Sequence, residues 1–159
     1  MKVEQIMTHD VTTCTPEDTL DVPARLMWER DCGCVPVVHD GRKVVAMLTD
    51  RDVAMAAFTQ GRPLHEIRVA SAMSPDLSSC CPNDPVSLAL EILQTRQLRR
   101  LPVVSGDGEL IGMLSLADLA REARREHGRS VREVADGQIA EAIEAITLPR
   151  SPMRELTAA

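Results

Sequence analysis

A hydroxyl residue and a carboxylate recur with the same spacing at two places in the chain. The stretch MLTDRDVA at residues 47–54 returns as MLSLADLA at residues 113–120, so Thr49 and Asp52 correspond to Ser115 and Asp118. Free N–H groups at a helix start can bind a phosphate, and a short carboxylate can accept two hydrogen bonds from vicinal ribose hydroxyls. A capping box, in which both side chains satisfy their own helix start, explains the same pattern without a ligand.

Three arginines near these motifs are candidate phosphate contacts. Arg51 lies within the first motif, where a guanidinium can bind a phosphate through two parallel hydrogen bonds, although a solvated surface arginine is an equally good interpretation. Arg99 and Arg100 precede the second motif, at the place where the first copy has Gly33 and Cys34. The two potential sites are therefore expected to differ in charge.

The cysteines and histidines do not form a recognisable catalytic or metal-binding set. Neither Cys32-x-Cys34 nor Cys80-Cys81 has the Cys-x₂₋₄-Cys spacing that structural zinc sites favour. Cys14 and Cys80 occupy equivalent places in the two copies, which indicates small buried residues. A redox switch joining Cys14 to Cys32 or Cys34 is the alternative. The histidines fall mainly in turns and linkers, at His9, His39, His65 and His127. We therefore expect a protein that is not an enzyme and holds no metal.

Composition excludes some functions and indicates a location. The 159 residues carry a net charge of −6, with one Trp, one Phe and no Tyr, which argues against nucleic-acid binding. No run of 18 apolar residues predicts a membrane span, and the first ten residues lack the apolar core of a signal peptide. We therefore expect a cytoplasmic protein whose cysteines are mostly thiols.

An internal duplication positions the two motifs. Residues 1–53 align without a gap on residues 67–119, at a constant offset of 66. In the first copy, Val11–Cys14 predicts a short strand, and the spacing of apolar residues predicts a helix from about Thr19. Pro23 falls in the first turn of that helix, where it is tolerated.

A hairpin and a second helix complete each copy. Apolar runs flank Asp40–Gly41, a strong hairpin signal, and the second copy repeats it at Gly106–Gly108. Thr49 and Ser115 then open the second helices. Each copy is therefore a β-α-β-β-α unit, and the fold class is α/β (α+β), with two units in a pseudo-twofold arrangement.

The predicted divisions follow the duplication: a first unit at 1–60, a linker at 61–70, a second unit at 71–122 and a C-terminal helical tail at 123–159. In the tail, Ser130–Glu133 has the signature of a capping box, and Gly137 weakens the helix that follows. That helix has apolar residues at Val134, Ile139, Ile143 and Ile146. The chain is expected to be frayed after Pro149.

The duplicated unit resembles the CBS domain, here as a tandem pair (a Bateman module) similar to the small stand-alone CBS-pair proteins of bacteria. The resemblance covers about residues 1–122. It depends on four features in the same order in both copies: Ile-Met-Thr/Ser at 6–8 and 72–74, Pro-Val-Val at 36–38 and 102–104, the Gly/Asp hairpin, and the closing Thr/Ser-x-x-Asp.

This resemblance implies a regulatory module that binds an adenosine-containing ligand, such as AMP, ADP, ATP or S-adenosylmethionine, between the paired units. It assigns ribose and phosphate contacts to Thr49, Asp52, Ser115 and Asp118, with Arg51, Arg99 and Arg100 as phosphate candidates. It assigns the adenine edge to Asp10 and Thr12 and to Asp76 and Ser78. It also implies a homodimer formed through the helices and an effector protein that reads the signal. The alternative is a ligand-free structural or interaction protein, with thiol-based redox sensing as one variant.

Overall fold

The computed structural model describes residues 1–74, 76–128 and 134–149. The first repeat contains α1 (Asp21–Glu29), β1 (Cys34–His39), β2 (Lys43–Thr49) and α2 (Asp50–Gln60). The second repeat contains α3 (Val86–Thr95), β3 (Arg100–Val104), β4 (Leu110–Ser115) and α4 (Leu116–Arg125), and α5 (Asp136–Thr147) follows. The predicted mixed fold of paired hairpin-and-helix units is confirmed. None of the helices in these described ranges is long and apolar enough to span a membrane.

Each hairpin places its first residue beside the start of the helix that follows. Cys34 lies opposite Thr49 in the first hairpin, and Arg100 lies opposite Ser115 in the second. The first turn is tight because Asp40 and Gly41 both have positive φ, 46° and 87°, as the hairpin signal requires. The antiparallel register therefore brings positions 34 and 100 next to the hydroxyl residues of the two motifs.

The strand predicted over Val11–Cys14 is wrong in extent. Only Cys14 pairs, in parallel with Val37: its N–H donates to the Pro36 carbonyl at 3.2 Å, and the Val38 N–H donates to the Cys14 carbonyl at 2.8 Å. The next rung toward Thr12 needs the N–H of Pro36, which proline lacks. Cys80 and Pro102 repeat this arrangement in the second copy. Residues 9–13 and residues 76–79 of the second copy are therefore left out of the sheets.

Two segments exchange between the repeats. The N-terminal residues pack on the second repeat, where Val3 N–H donates to Asp84 O at 3.0 Å and Thr8 pairs with Met113. Residues 67–74 pack on the first repeat in the same way, and Ser74 pairs with Met47. The predicted divisions at 1–60 and 71–122 follow the order of residues along the chain. Each of the two cores, in contrast, is completed by a segment from the other repeat.

The helices bury the predicted stripes against these two cores. Leu20 and Met27 lie in the first core, and Val86, Leu90 and Leu93 lie in the second. The stripes face inward because residues at i, i+4 and i+7 share one side of a helix.

The last described helix, α5, packs on α3 and α4 of the second repeat. Val134, Ile139 and Ala142 are buried there, and the Gln97 side-chain amide donates to the carbonyls of Ala145 and Leu148 at 3.0 and 3.2 Å. Ile143 faces outward. The capping box predicted at 130–133 and the frayed end predicted after Pro149 lie outside the described residues.

Candidate functional site

The first motif forms a complete capping box. Asp52 Oδ2 accepts hydrogen bonds from the Thr49 backbone N–H at 2.8 Å and from Thr49 Oγ1 at 2.6 Å, and Asp52 N–H donates to Thr49 Oγ1 at 3.2 Å. The two bonds that end on the carboxylate both use the same oxygen, Oδ2. Among the described residues no hydrogen bond uses the second oxygen, Oδ1, which leaves it as the acceptor for a ligand hydroxyl.

The second motif repeats the box but adds a cation. Asp118 Oδ2 accepts from the Ser115 N–H at 2.8 Å and from Ser115 Oγ at 2.6 Å. Arg121 donates to Asp118 Oδ1, the oxygen that stays open in the first motif. Asp118 is 7% exposed, whereas the Arg121 side chain is 68% exposed. The two motifs therefore differ at the atom that matters for a ribose, because the residue equivalent to Arg121 is Met55.

Arg100 reaches from the second repeat to the first. Its Nη1 lies 3.9 Å from Cys34 Sγ, and these two residues occupy equivalent positions in the duplication. Equivalent residues that contact each other must lie close to the pseudo-twofold axis. A Cβ at Gly33 would lie in ordinary contact with Arg100 Nη1, at 3.8 Å, and closer to Asp50 Oδ2, at 3.3 Å. The expected charge difference between positions 34 and 100 therefore creates one shared arginine at the axis.

Arg51 and Arg99, the other two candidate arginines, are exposed. Within the described ranges, neither side chain forms a hydrogen bond or an ion pair. Both are able to contact a solvent-borne phosphate. No contact among the described residues fixes the distance between either guanidinium and the carboxylates of Asp52 and Asp118.

A cleft of about 400 Å³ opens beside the segment that the β1 edge leaves unpaired. It is lined by His9, Asp10, Val11, Thr13, Val38, Gly41 and Arg42. Its volume falls in the range of small-molecule sites. Arg42 lies where the two hairpins meet: its carbonyl accepts from Leu110 N–H at 2.9 Å, and Val44 N–H donates to Gly108 O at 3.1 Å. The cleft is therefore placed at the junction of the two repeats.

The predicted adenine-edge residues are only partly gathered at this cleft. Asp10 lines it and also pairs with Arg30 at 3.4 Å, whereas the half-buried Thr12 is not among the lining residues. Asp76 is exposed and Ser78 is half-buried in the equivalent segment of the second repeat. Neither Ser/Thr–Asp pair lines the cleft, and among the described residues no hydrogen bond joins those pairs to either segment.

Comparison with known proteins identifies the duplicated unit. The CBS domain family matches residues 3–58 and again residues 69–125. The chain belongs to the CBS domain family.

Similar proteins support this assignment along most of the chain. The CBS domain-containing protein YhcV of Bacillus subtilis is 38% identical over 118 residues, which cover 74% of this chain and 82% of YhcV. The solved structure of a protein with CBS domains from Burkholderia ambifaria has a TM-score of 0.71 and 26% identity, covering 82% of this chain and 99% of that one. The structure of CBSX2 in complex with AMP has a TM-score of 0.69 and 26% identity, covering 78% and 96%.

The buried thiols of the two CBS units are poor nucleophiles. Burial raises the pKa of Cys14 from 9.0 to about 12, and Asp18 adds to the effect. Burial likewise raises the pKa of Cys80 to about 12, with Asp84 adding to it. Burial also raises the pKa of Cys34, although the neighbouring Arg100 opposes this. A thiolate is therefore disfavoured at Cys14 and Cys34, two of the cysteines for which redox sensing was considered.

The described residues show no candidate metal site. Among those residues, no three His, Cys, Asp or Glu side chains are arranged to hold an ion. His39 lies near Glu17 and Asp40, and His127 Nδ1 lies 3.2 Å from Asp136 Oδ2, as exposed pairs. The sequence-based expectation of a metal-free protein stays a prediction.

Two candidate ligand contacts, Arg42 and Arg121, are not among the site residues predicted from the sequence. Arg42 directly follows Asp40–Gly41 in the first hairpin turn, and a cation at this place is the sequence signal that could have identified it. Arg121 follows Asp118 by three residues, which is the spacing of an ion pair on a helix and is the corresponding signal. Both lie beside the residues that the resemblance had assigned to the ligand.

Proposed function

We propose that this CBS pair is a non-catalytic regulatory module that binds an adenosine-containing ligand at the junction of its two units. The cleft beside residues 9–13 is the observation that carries the proposal. It has the volume of a nucleotide site, and its Arg42 is a cation that can meet a phosphate. The AMP complex of CBSX2 shows that a protein of similar fold and 26% identity binds such a ligand.

Unpaired backbone explains how an adenine is recognised with so few aromatic side chains. Because Pro36 stops the ladder at Cys14, the N–H and carbonyl groups of the preceding residues remain free of sheet hydrogen bonds. Those groups offer the alternating donors and acceptors that the edge of a purine needs. Val11 and Val38 supply apolar contacts for its faces.

The ribose assignment to Asp52 and Asp118, the acids that start α2 and α4, depends on the family resemblance, since neither acid lines the cleft. Each acid uses one oxygen for its own helix, so only the second oxygen can accept from a hydroxyl. Asp52 offers this oxygen directly, whereas Asp118 must release Arg121 or share its oxygen with it. We propose that the two units bind with different affinity for this reason, and that Arg99 and Arg121 favour a phosphorylated ligand on the side of Asp118. Arg100, whose side chain reaches Cys34 of the first unit, favours such a ligand from the pseudo-twofold axis.

A ligand-free interaction protein remains the second candidate, favoured by one observation. Both capping boxes are complete without any ligand, so both acids have a structural role already. The thiol-redox variant of this candidate is weakened by the burial of Cys14 and Cys80.

Calorimetric titration of AMP, ADP, ATP, adenosine and S-adenosylmethionine into the reduced full-length chain tests the proposal. Replacement of the cleft arginine, Arg42→Gln, is expected to weaken AMP at least tenfold and to leave adenosine within about twofold. The matched control is Arg62→Gln, which removes another exposed arginine, from the linker, where it pairs with Glu66 at 3.4 Å.

Two results would contradict the proposal. One is the absence of heat or thermal stabilisation with all five ligands, which favours the ligand-free candidate. The other is an AMP affinity that Arg42→Gln and Arg62→Gln change equally, which removes the cleft as the binding place. In cells, we propose that an effector protein reads the ligand-bound form.

A further inference from the structure

Two residues that line the cleft at the junction of the repeats can carry positive charge, His9 and Arg42. Both are exposed, and within the described ranges neither side chain forms a hydrogen bond or an ion pair. The third charged residue of the lining is Asp10, whose Oδ2 lies 3.4 Å from Arg30 Nη1. The cleft therefore keeps the positive charge of Arg42, and His9 adds a second one when it is protonated.

The outer edge of β4 fixes the backbone of both residues. Thr8, which directly precedes His9, exchanges two hydrogen bonds with Met113, at 2.8 and 2.9 Å. The Arg42 carbonyl accepts from the Leu110 N–H at 2.9 Å. Leu110 and Met113 are three residues apart, which is about 10 Å along a strand. A long arginine side chain and an imidazole can bridge this separation around one phosphate-sized anion.

The second repeat lacks this pair of residues. At the offset of 66, His9 corresponds to Pro75 and Arg42 corresponds to Gly108. Neither proline nor glycine has a side-chain donor. The pair is therefore a property of this one cleft and is not part of the duplicated unit.

The charged groups next to the cleft are engaged with one another. In the first hairpin, His39 Nε2 lies 3.4 Å from Asp40 Oδ1, and His39 Nδ1 lies 3.8 Å from Glu17 Oε1. Where the two hairpins meet, Lys43 lies opposite Glu109. None of these five residues lines the cleft. A bound anion would therefore meet the charges of the lining residues themselves.

We propose that His9 and Arg42 together hold the phosphate of a phosphorylated adenosine ligand, and that protonation of His9 tightens this binding. The inference rests on the proposed function, because it concerns the same cleft. A guanidinium stays charged, whereas a histidine ordinarily changes its charge between about pH 5 and about pH 8. Two charged donors on one phosphate form charge-assisted hydrogen bonds. Adenosine, which has no phosphate, and S-adenosylmethionine, whose sulfonium is itself a cation, gain nothing from the pair.

Calorimetric titration of AMP into the full-length chain at about pH 5.5 and about pH 8 tests this inference. His9→Gln removes the titrating group, so it should weaken AMP about tenfold at the lower pH and leave it within about twofold at the higher pH. The variant and the wild-type chain are compared at each pH, because the AMP phosphate itself changes charge at about pH 6.

The matched control is His65→Gln, which removes an exposed histidine of the linker, where its Nε2 lies 3.9 Å from Glu66 Oε1. This change should leave the AMP affinity within about twofold at both pH values, because His65 does not line the cleft.

His9→Lys provides a second readout, because a lysine stays charged at both pH values. This variant should bind AMP about tenfold more tightly than the wild-type chain at about pH 8. Adenosine should bind the wild-type, His9→Gln and His9→Lys chains alike, since it has no phosphate for residue 9 to contact.

The inference is overturned if His9→Gln changes the AMP affinity by the same factor at both pH values. It is also overturned if His9→Lys binds AMP no more tightly than the wild-type chain at the higher pH, or if adenosine shows the same changes as AMP. The proposed function survives these results as long as Arg42→Gln weakens AMP more than Arg62→Gln does. A wild-type chain that does not bind AMP overturns the inference, and one that binds none of the five ligands overturns the proposed function as well.

Discussion

Asp118, at the start of α4, caps its helix and is also a proposed ribose contact. Its replacement should lower the stability of the fold whether or not a ligand is bound. Asp118 is buried, and its carboxylate satisfies both the N–H and the hydroxyl of Ser115. In Asp118→Ala the Ser115 N–H loses its acceptor at a buried helix start. Loss of a cap costs about 0.5–2 kcal/mol, and a hydrogen bond to a charged group contributes about 1.5–3 kcal/mol.

We therefore expect Asp118→Ala to lower the free energy of unfolding by about 2 kcal/mol. Ser115 Oγ still accepts the N–H of residue 118, so half of the box survives the change. For a chain of this length, 2 kcal/mol corresponds to a fall in Tm of about 4–8 °C. Asp118→Asn keeps one oxygen acceptor and should lose about half as much.

Urea unfolding followed by circular dichroism measures this effect. The control is Asp107→Ala in the second hairpin turn, where the side chain is exposed and makes no hydrogen bond within the described ranges, so the change should stay within about 0.5 kcal/mol. Equal unfolding energies for the Asp118→Ala and Asp107→Ala variants would refute the reasoning. The ligand role is then read from the asparagine variant: AMP affinity should fall at least tenfold if the second oxygen holds a ribose, and stay unchanged if the acid only caps.

Two further predictions concern pH and backbone packing. Burial raises the pKa of Cys14 and Cys80 from 9.0 to about 12, so unfolding energy should fall as pH rises from about 9 to about 12, since the unfolded chain releases these protons first. The slope is at most about 1.4 kcal/mol per pH unit for each thiol, and alkaline melting curves of a Cys14→Ala/Cys80→Ala variant should be flatter; equal slopes would contradict the assignment. Gly112→Ala should destabilise the chain by about 1–3 kcal/mol in urea unfolding, because the new Cβ would lie 2.7 Å from the Thr8 carbonyl. Gly137→Ala, with open space around it in α5, should be neutral or stabilising by up to about 1 kcal/mol; a Gly112→Ala variant as stable as this control would contradict the crossing of the N-terminal segment.

Local chemistry explains what the sequence predicts well. The hairpin turn at Asp40–Gly41 and the helix starts at Thr49 and Ser115 depend on residues within four positions of one another. Their side chains settle the backbone without help from the rest of the fold. The apolar stripes of the helices follow from the period of the helix alone.

What the sequence does not reveal depends on contacts between distant segments. The exchange of the segments at 1–8 and 67–74 cannot be predicted from the residues of either segment. The two segments are similar in sequence, and nothing within them indicates which core each one completes. The contact between Cys34 and Arg100 arises because both lie near the pseudo-twofold axis, which a comparison of the two copies along the chain cannot show. The shortening of the predicted strand could have been predicted from the sequence. Pro36 and Pro102 lie where the next hydrogen bond of each parallel pair needs a backbone N–H donor.

The central claim is that an adenosine-containing ligand binds beside the unpaired segment at the junction of the two CBS units. Titration of AMP into the isotope-labelled chain, followed through backbone amide signals, tests it directly. The account predicts saturable shifts of Val11, Thr13, Gly41 and Arg42, with smaller changes in α5. Saturation with no shift at these amides would contradict it.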